Sequence, residues 1–215
     1  MLPTELQAGL ADFDSAFETS YEDRANQTRG AFLNAFPLDA LSRMTLDEYV
    51  IGKRQPTFCD YLEHRTKPWA NTLGSTAFKF GIYYGVTKNN RTPRYRFVKR
   101  AGTSPKEAFD WLKTHLLELV EAGPALDFEA IDRNPLAQMM KAKVLSLYFQ
   151  DKFLNVCSGD HLDDLGAEFG LDEDAWISEK QHLLLEAKLR DPFYEALEQS
   201  KIYDLFIQYI SSFSR

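Results

Sequence analysis

The sequence predicts an α+β fold: several amphipathic helices around a small antiparallel sheet containing a basic β-hairpin. Three observations lead there. Apolar residues recur at spacings of three and four through much of the chain, the signature of helices with one buried face. One stretch alternates instead, with Phe78, Phe80, Ile82, Tyr84 and Val86 on one side and Ala77, Lys79, Gly81, Tyr83 and Gly85 on the other. A second short alternation, Arg94 to Val98, follows a polar turn and closes a hairpin with the first.

The elements follow in chain order. Leu6, Leu10, Phe13, Phe17 and Tyr21 mark a helix over residues 3–21, and a more polar segment to Phe36 completes a helical N-terminal arm, residues 1–36. Residues 37–215 are then read as a single α+β domain. Thr45-Leu46-Asp47-Glu48 is a capping box that starts a short helix, which Gly52 ends. Phe58, Tyr61 and Leu62 suggest another before Lys67-Pro68. The strand from Thr76 to Val86 comes next, then Lys88 to Pro93 as its turn.

Beyond the hairpin, Ser104-Pro105-Lys106-Glu107 combines an N-cap serine, proline at the first helical position and glutamate at the third. Ala108, Phe109, Leu112, Leu116, Leu119 and Val120 supply the stripe of that helix, and Gly123-Pro124 stops it. Asn134-Pro135 opens the next, with Leu136, Met139, Met140, Val144 and Leu147 inward. Phe149 to Val156 forms a loop or short strand on the core. Ser158 caps a helix running to Gly170, and Ala175 to Leu189 is helical up to the Asp191-Pro192 break. Ile202, Leu205, Phe206, Tyr209, Ile210 and Phe213 make a last amphipathic helix.

Charge singles out the middle of the chain. The protein carries 25 basic and 32 acidic residues, yet ten of the basic ones fall between His64 and Lys106, where there is no Asp or Glu. An acidic chain that gathers its cations in one fifth of its length presents a local site for a polyanion. On the predicted hairpin, Lys79, Tyr83, Arg94 and Arg96 share the face away from the core, with Lys88 and Arg91 at the tip and Lys99 and Arg100 just beyond. Cations interleaved with an aromatic suit phosphate contact plus base stacking. Trp69, inside the same block, is a second candidate for stacking on a base. The competing reading of this face is a solvated sheet edge protected from aggregation by its charges.

Other chemistries find little purchase. There is no GxSxG, no GxxxxGK[ST] and no GxGxxG. His64, His115, His161 and His182 are scattered, and the acids around His161 suit a helix start as well as a hard cation, so no metal and no cofactor is expected. Glu186-Ala187-Lys188 resembles a fragment of metal-dependent nucleases, but it lies in a predicted helix, where positions two apart diverge. Cys59 and Cys157 read as buried free thiols. No run of about 18 apolar residues is present and the start lacks a basic n-region, so the expectation is a cytoplasmic chain without membrane contact.

Several segments carry a family resemblance: TLDEYVIGK from Thr45, TFCDYLE from Thr57, KFGIYYG from Lys79 and LYFQDKFLNVCSGDHL from Leu147. Taken in order they resemble the region ahead of the AAA+ motor in McrB-type proteins, the GTP-driven subunits of modification-dependent restriction systems. The resemblance spans roughly Thr45 to Phe213, without the motor. It implies a non-enzymatic module that binds double-stranded DNA, often at modified cytosine. Its partners would be an AAA+ motor, in cis or in trans, and a separate McrC-type nuclease subunit. It assigns no base-contacting residues here, so the site list rests on the charge argument. The alternative is a protein-interaction module of the same kind of complex, docking through the last helix or the Leu183-Leu184-Leu185 run.

Overall fold

The computed structural model describes residues 19–53, 56–72 and 76–190. The apolar stripes from Leu6 to Phe17 and from Ile202 to Phe213, and the Asp191-Pro192 break, lie outside them. The architecture is α+β, as expected: helices around one two-stranded antiparallel sheet. Helix α1 spans Thr19–Ala35, and a 3-10 turn follows at Leu38–Arg43. Next come the short α2 at Leu46–Tyr49 and α3 at Phe58–Asp60, which continues as a π turn over Tyr61–Arg65. Strands β1, Ile82–Thr87, and β2, Asn90–Phe97, form the hairpin. Helices α4 (Pro105–Ala125), α5 (Phe128–Arg133), α6 (Gln138–Tyr148), α7 (Gly159–Glu168) and α8 (Ile177–Arg190) complete the fold.

Local signals explain most helix starts. The α2 capping box is complete: the Glu48 amide donates to Thr45 Oγ1, and the Glu48 carboxylate accepts from the Thr45 amide at 2.7 Å. At α4 the Glu107 amide donates to Ser104 Oγ, with Pro105 at the first position. Ser158 caps α7 in the same way. Helix α4 runs through Gly123-Pro124 and ends at Leu126, the one non-glycine residue at positive φ among those described. Helix α5 was not expected. Asp127 caps it by accepting from the Ala130 amide, and Asn134 ends it.

Helix α6 is the centre of the core, with every residue from Met140 to Leu147 buried. It packs against α1 and α4, while α8 packs on α5 and α7. Helix α4 also supports both strands of the hairpin. The described part of the N-terminal arm joins this core. Phe32 is fully buried among Phe36, Phe58, Tyr61 and Tyr148, a burial that stabilises by about 2 kcal/mol for such a ring. The Arg29 guanidinium adds a hydrogen bond to the Leu147 carbonyl at 2.8 Å. Among the described residues no helix is long and apolar enough to cross a membrane.

Candidate nucleic-acid interface

The hairpin begins later than the alternation suggests. Ala77–Phe80 is a 3-10 turn, and Gly81 at φ 76° turns the chain into β1. A Cβ at Gly81 would sit 2.4 Å from Leu112 Cδ2, so both space and backbone conformation require glycine there. Pairing is Ile82 with Phe97, Tyr83 with Arg96, Tyr84 with Tyr95 and Gly85 with Arg94, then shifts register to close through Thr87 and Asn90. The turn is therefore only Lys88-Asn89, and Pro93 lies inside β2, at the shift.

Three contacts fix the hairpin to the body. The Tyr49 hydroxyl donates to the Phe80 carbonyl at 2.7 Å, and the Tyr84 amide donates to the Ile51 carbonyl at 2.9 Å. The third is a polar trio on the surface. Tyr95 donates its hydroxyl proton to Asp47, and Lys53 Nζ donates to Asp47 at 2.7 and 2.9 Å and to the Tyr95 oxygen at 2.7 Å. The hydrogen bonds from Lys53 and Tyr95 hold the Asp47 carboxyl below its ordinary range, and the bond to Asp47 raises the Lys53 ammonium. Asp47 is thus committed to the trio.

Directly paired residues share a face, and the sheet sorts accordingly except at Val86, expected on the core side but 44% exposed at the register shift. Ile82 is buried, and Tyr84, Tyr95 and Phe97 pack against the core. Tyr83, Gly85, Arg94 and Arg96 face outward. Lys88, Arg91, Arg94, Lys99 and Arg100 are exposed, and Tyr83 and Arg96 partly so. Arg96 is braced against both strands, donating from Nε to the Gly85 carbonyl of β1 at 3.1 Å and from Nη2 to the Asn90 carbonyl of β2 at 3.3 Å. Arg100 donates to the Pro135 carbonyl at 2.7 Å and lies over the Trp111 ring. Lys88, Arg91, Arg94 and Lys99 make no ion pair with any described residue.

No family model matches the chain, and no curated protein or solved structure does.

Two expected site residues are elsewhere. Lys79 precedes the strand, and its ammonium points inward to the Glu63 carboxylate and to the Thr72 carbonyl at 2.6 Å. Trp69 is 2% exposed, donates its indole N–H to Ser146 Oγ at 3.2 Å and sits under the Arg29 guanidinium. Neither side chain faces a ligand surface. The leucine run proposed for docking is likewise turned inward at Leu184 and Leu185, which are buried. Glu186 lies on helix α8 and pairs with Arg190 at 3.1 Å. Cys59 and Cys157 are buried free thiols, and burial pushes the Cys157 thiol up to about 12.

The structure adds one residue to the outward face. Phe78, expected on the core side, is 45% exposed and meets Tyr83 edge-to-face with ring centroids 5.1 Å apart. Its spacing from Phe80 and Ile82 mimics a strand; only the 3-10 turn and Gly81 reverse its direction.

Proposed function

We propose that this chain is a DNA-binding specificity domain that grips duplex DNA through the outward face and tip of its hairpin. The observation that carries the reading is the group Lys88, Arg91, Arg94 and Lys99: four exposed cations with no ion-pair partner among the described residues. They lie in a chain of net charge −7. Phosphate neutralisation releases counterions, so such a face binds DNA with an affinity that falls steeply with salt. The braced Arg96 extends the same surface.

The resemblance to the front region of McrB-type proteins supports a setting for this activity. In that setting the domain recognises modified cytosine and delivers DNA to a GTP-driven AAA+ motor and a McrC-type nuclease subunit. The chain itself performs no reaction in this reading. The test is fluorescence anisotropy with matched duplexes carrying cytosine, 5-methylcytosine or 5-hydroxymethylcytosine. Salt-sensitive binding supports the DNA interface, and tighter binding to one modified duplex supports the reader. Absence of binding at low salt, with binding to a partner subunit instead, supports a protein-interaction module.

A further inference from the structure

The outward face carries two aromatic rings as well as cations. Phe78 is the one exposed phenylalanine among the described residues. It is held in a 3-10 turn whose exit is locked by Gly81, and its ring stands at 87° to that of Tyr83. One edge of the Tyr83 ring lies beside the bare backbone of Gly85, where a Cβ would be 3.6 Å from two of its ring atoms. Each ring limits the other's rotamers, so the pair is presented with little side-chain entropy left to lose. Cross-strand from Tyr83 is Arg96, and two pairs further, on the same face, is Arg94.

We propose that Phe78 and Tyr83 form a stacking step for unpaired bases, so that the preferred ligand of this face is DNA with a single-stranded stretch. The proposal rests on the DNA-binding reading above and adds the strand state. An intact duplex hides its base faces within the stack and offers the face only phosphates. A gap or single strand offers both phosphates for the arginines and ring faces for the aromatic pair. Base–aromatic stacking tolerates any base, so this preference is independent of sequence.

The experiment uses fluorescein-labelled intact duplex, the same duplex with a short single-stranded gap, and the single strand alone. Each is titrated by anisotropy with the wild-type chain, with Phe78→Ala/Tyr83→Ala, with Phe78→Trp and with Arg91→Ala/Arg94→Ala. The wild type is expected to prefer gapped or single-stranded DNA by about tenfold or more. The double aromatic variant loses that preference, its affinity for gapped and single-stranded DNA falling by more than its affinity for duplex, and Phe78→Trp keeps it. The double arginine variant weakens binding to all three DNAs alike. Equal wild-type affinity for duplex and gapped DNA, or a preference that survives removal of both rings, overturns the stacking step and leaves the DNA reading standing. Wild-type protein that binds none of the three overturns both.

Discussion

Lys79 and Glu63 form an ion pair inside the protein, with side chains only 5% and 12% exposed. The pair ties the entry to the hairpin to the π turn at Tyr61–Arg65, and Lys79 also holds the Thr72 carbonyl. Removing one partner leaves an uncompensated buried charge, which costs about 3–5 kcal/mol. Lys79→Met is therefore expected to lower the urea midpoint strongly while leaving the DNA affinity of the folded protein unchanged. A variant of wild-type stability with weakened DNA binding would return Lys79 to the interface.

Trp69 makes a parallel prediction. Its ring fills the space between Arg29 and the Ser146 hydroxyl. Trp69→Ala is expected to cost about 3–5 kcal/mol of stability, the range for an emptied aromatic core site. Trp69→Phe is the milder variant for binding assays, and its DNA affinity and salt dependence are expected to match the wild type.

How much of this was legible in the sequence varies by element. The capping box at Thr45 and the N-cap at Ser104 were readable because each satisfies amides of its own helix start within one turn. The hairpin and its outward arginines were readable because side chains alternate with period two. The fate of Lys79 was not, because it depends on Glu63, sixteen positions upstream by numbering, and on a glycine conformation that reverses the apparent strand. A charge count treats a buried lysine and a free one alike. Phe78 was misplaced for the same reason as Lys79. Helix α5 was overlooked because Gly123-Pro124 and Asn134-Pro135 look like adjacent breaks, whereas α4 absorbs the first of them.

Lys143 sits at 1% exposure in α6 and donates to the carbonyls of Thr66 at 3.2 Å and Ala70 at 2.6 Å. Burial pushes its ammonium down to about 8, Cys157 and Glu63 oppose the shift, and Lys79 adds to it. The unfolded chain then holds this proton up to its ordinary range near 10.4 while the folded one releases it from about 8. Between those values the unfolded state binds more protons, so this group's contribution to stability rises with pH. Urea unfolding from pH 8 to 10 is expected to show wild type gaining on Lys143→Met. Comparison with the variant cancels the opposite trend from Tyr49 and Tyr148, whose raised values make them lose stability as pH rises. A constant difference across that window would contradict the assignment.

The same burial governs the thiols. Cys59 and Cys157 are both at or below 2% exposure, and both are held well above the ordinary thiol range by desolvation. Neither is expected to react with a disulfide reagent at pH 8 in the folded protein, and both should react once urea unfolds it. Rapid labelling of either under native conditions would show that this part of the core opens.

The central claim is that the free cations of the hairpin bind DNA. Its most direct test is anisotropy binding of wild type, Arg91→Ala and Arg94→Ala to duplexes with cytosine, 5-methylcytosine or 5-hydroxymethylcytosine across a salt series. Each single variant is expected to weaken every duplex by a similar factor and to lower the slope of log affinity against log salt by about one. Wild-type protein that binds no duplex at low salt, or single and combined arginine variants that bind with the wild-type slope, would contradict it.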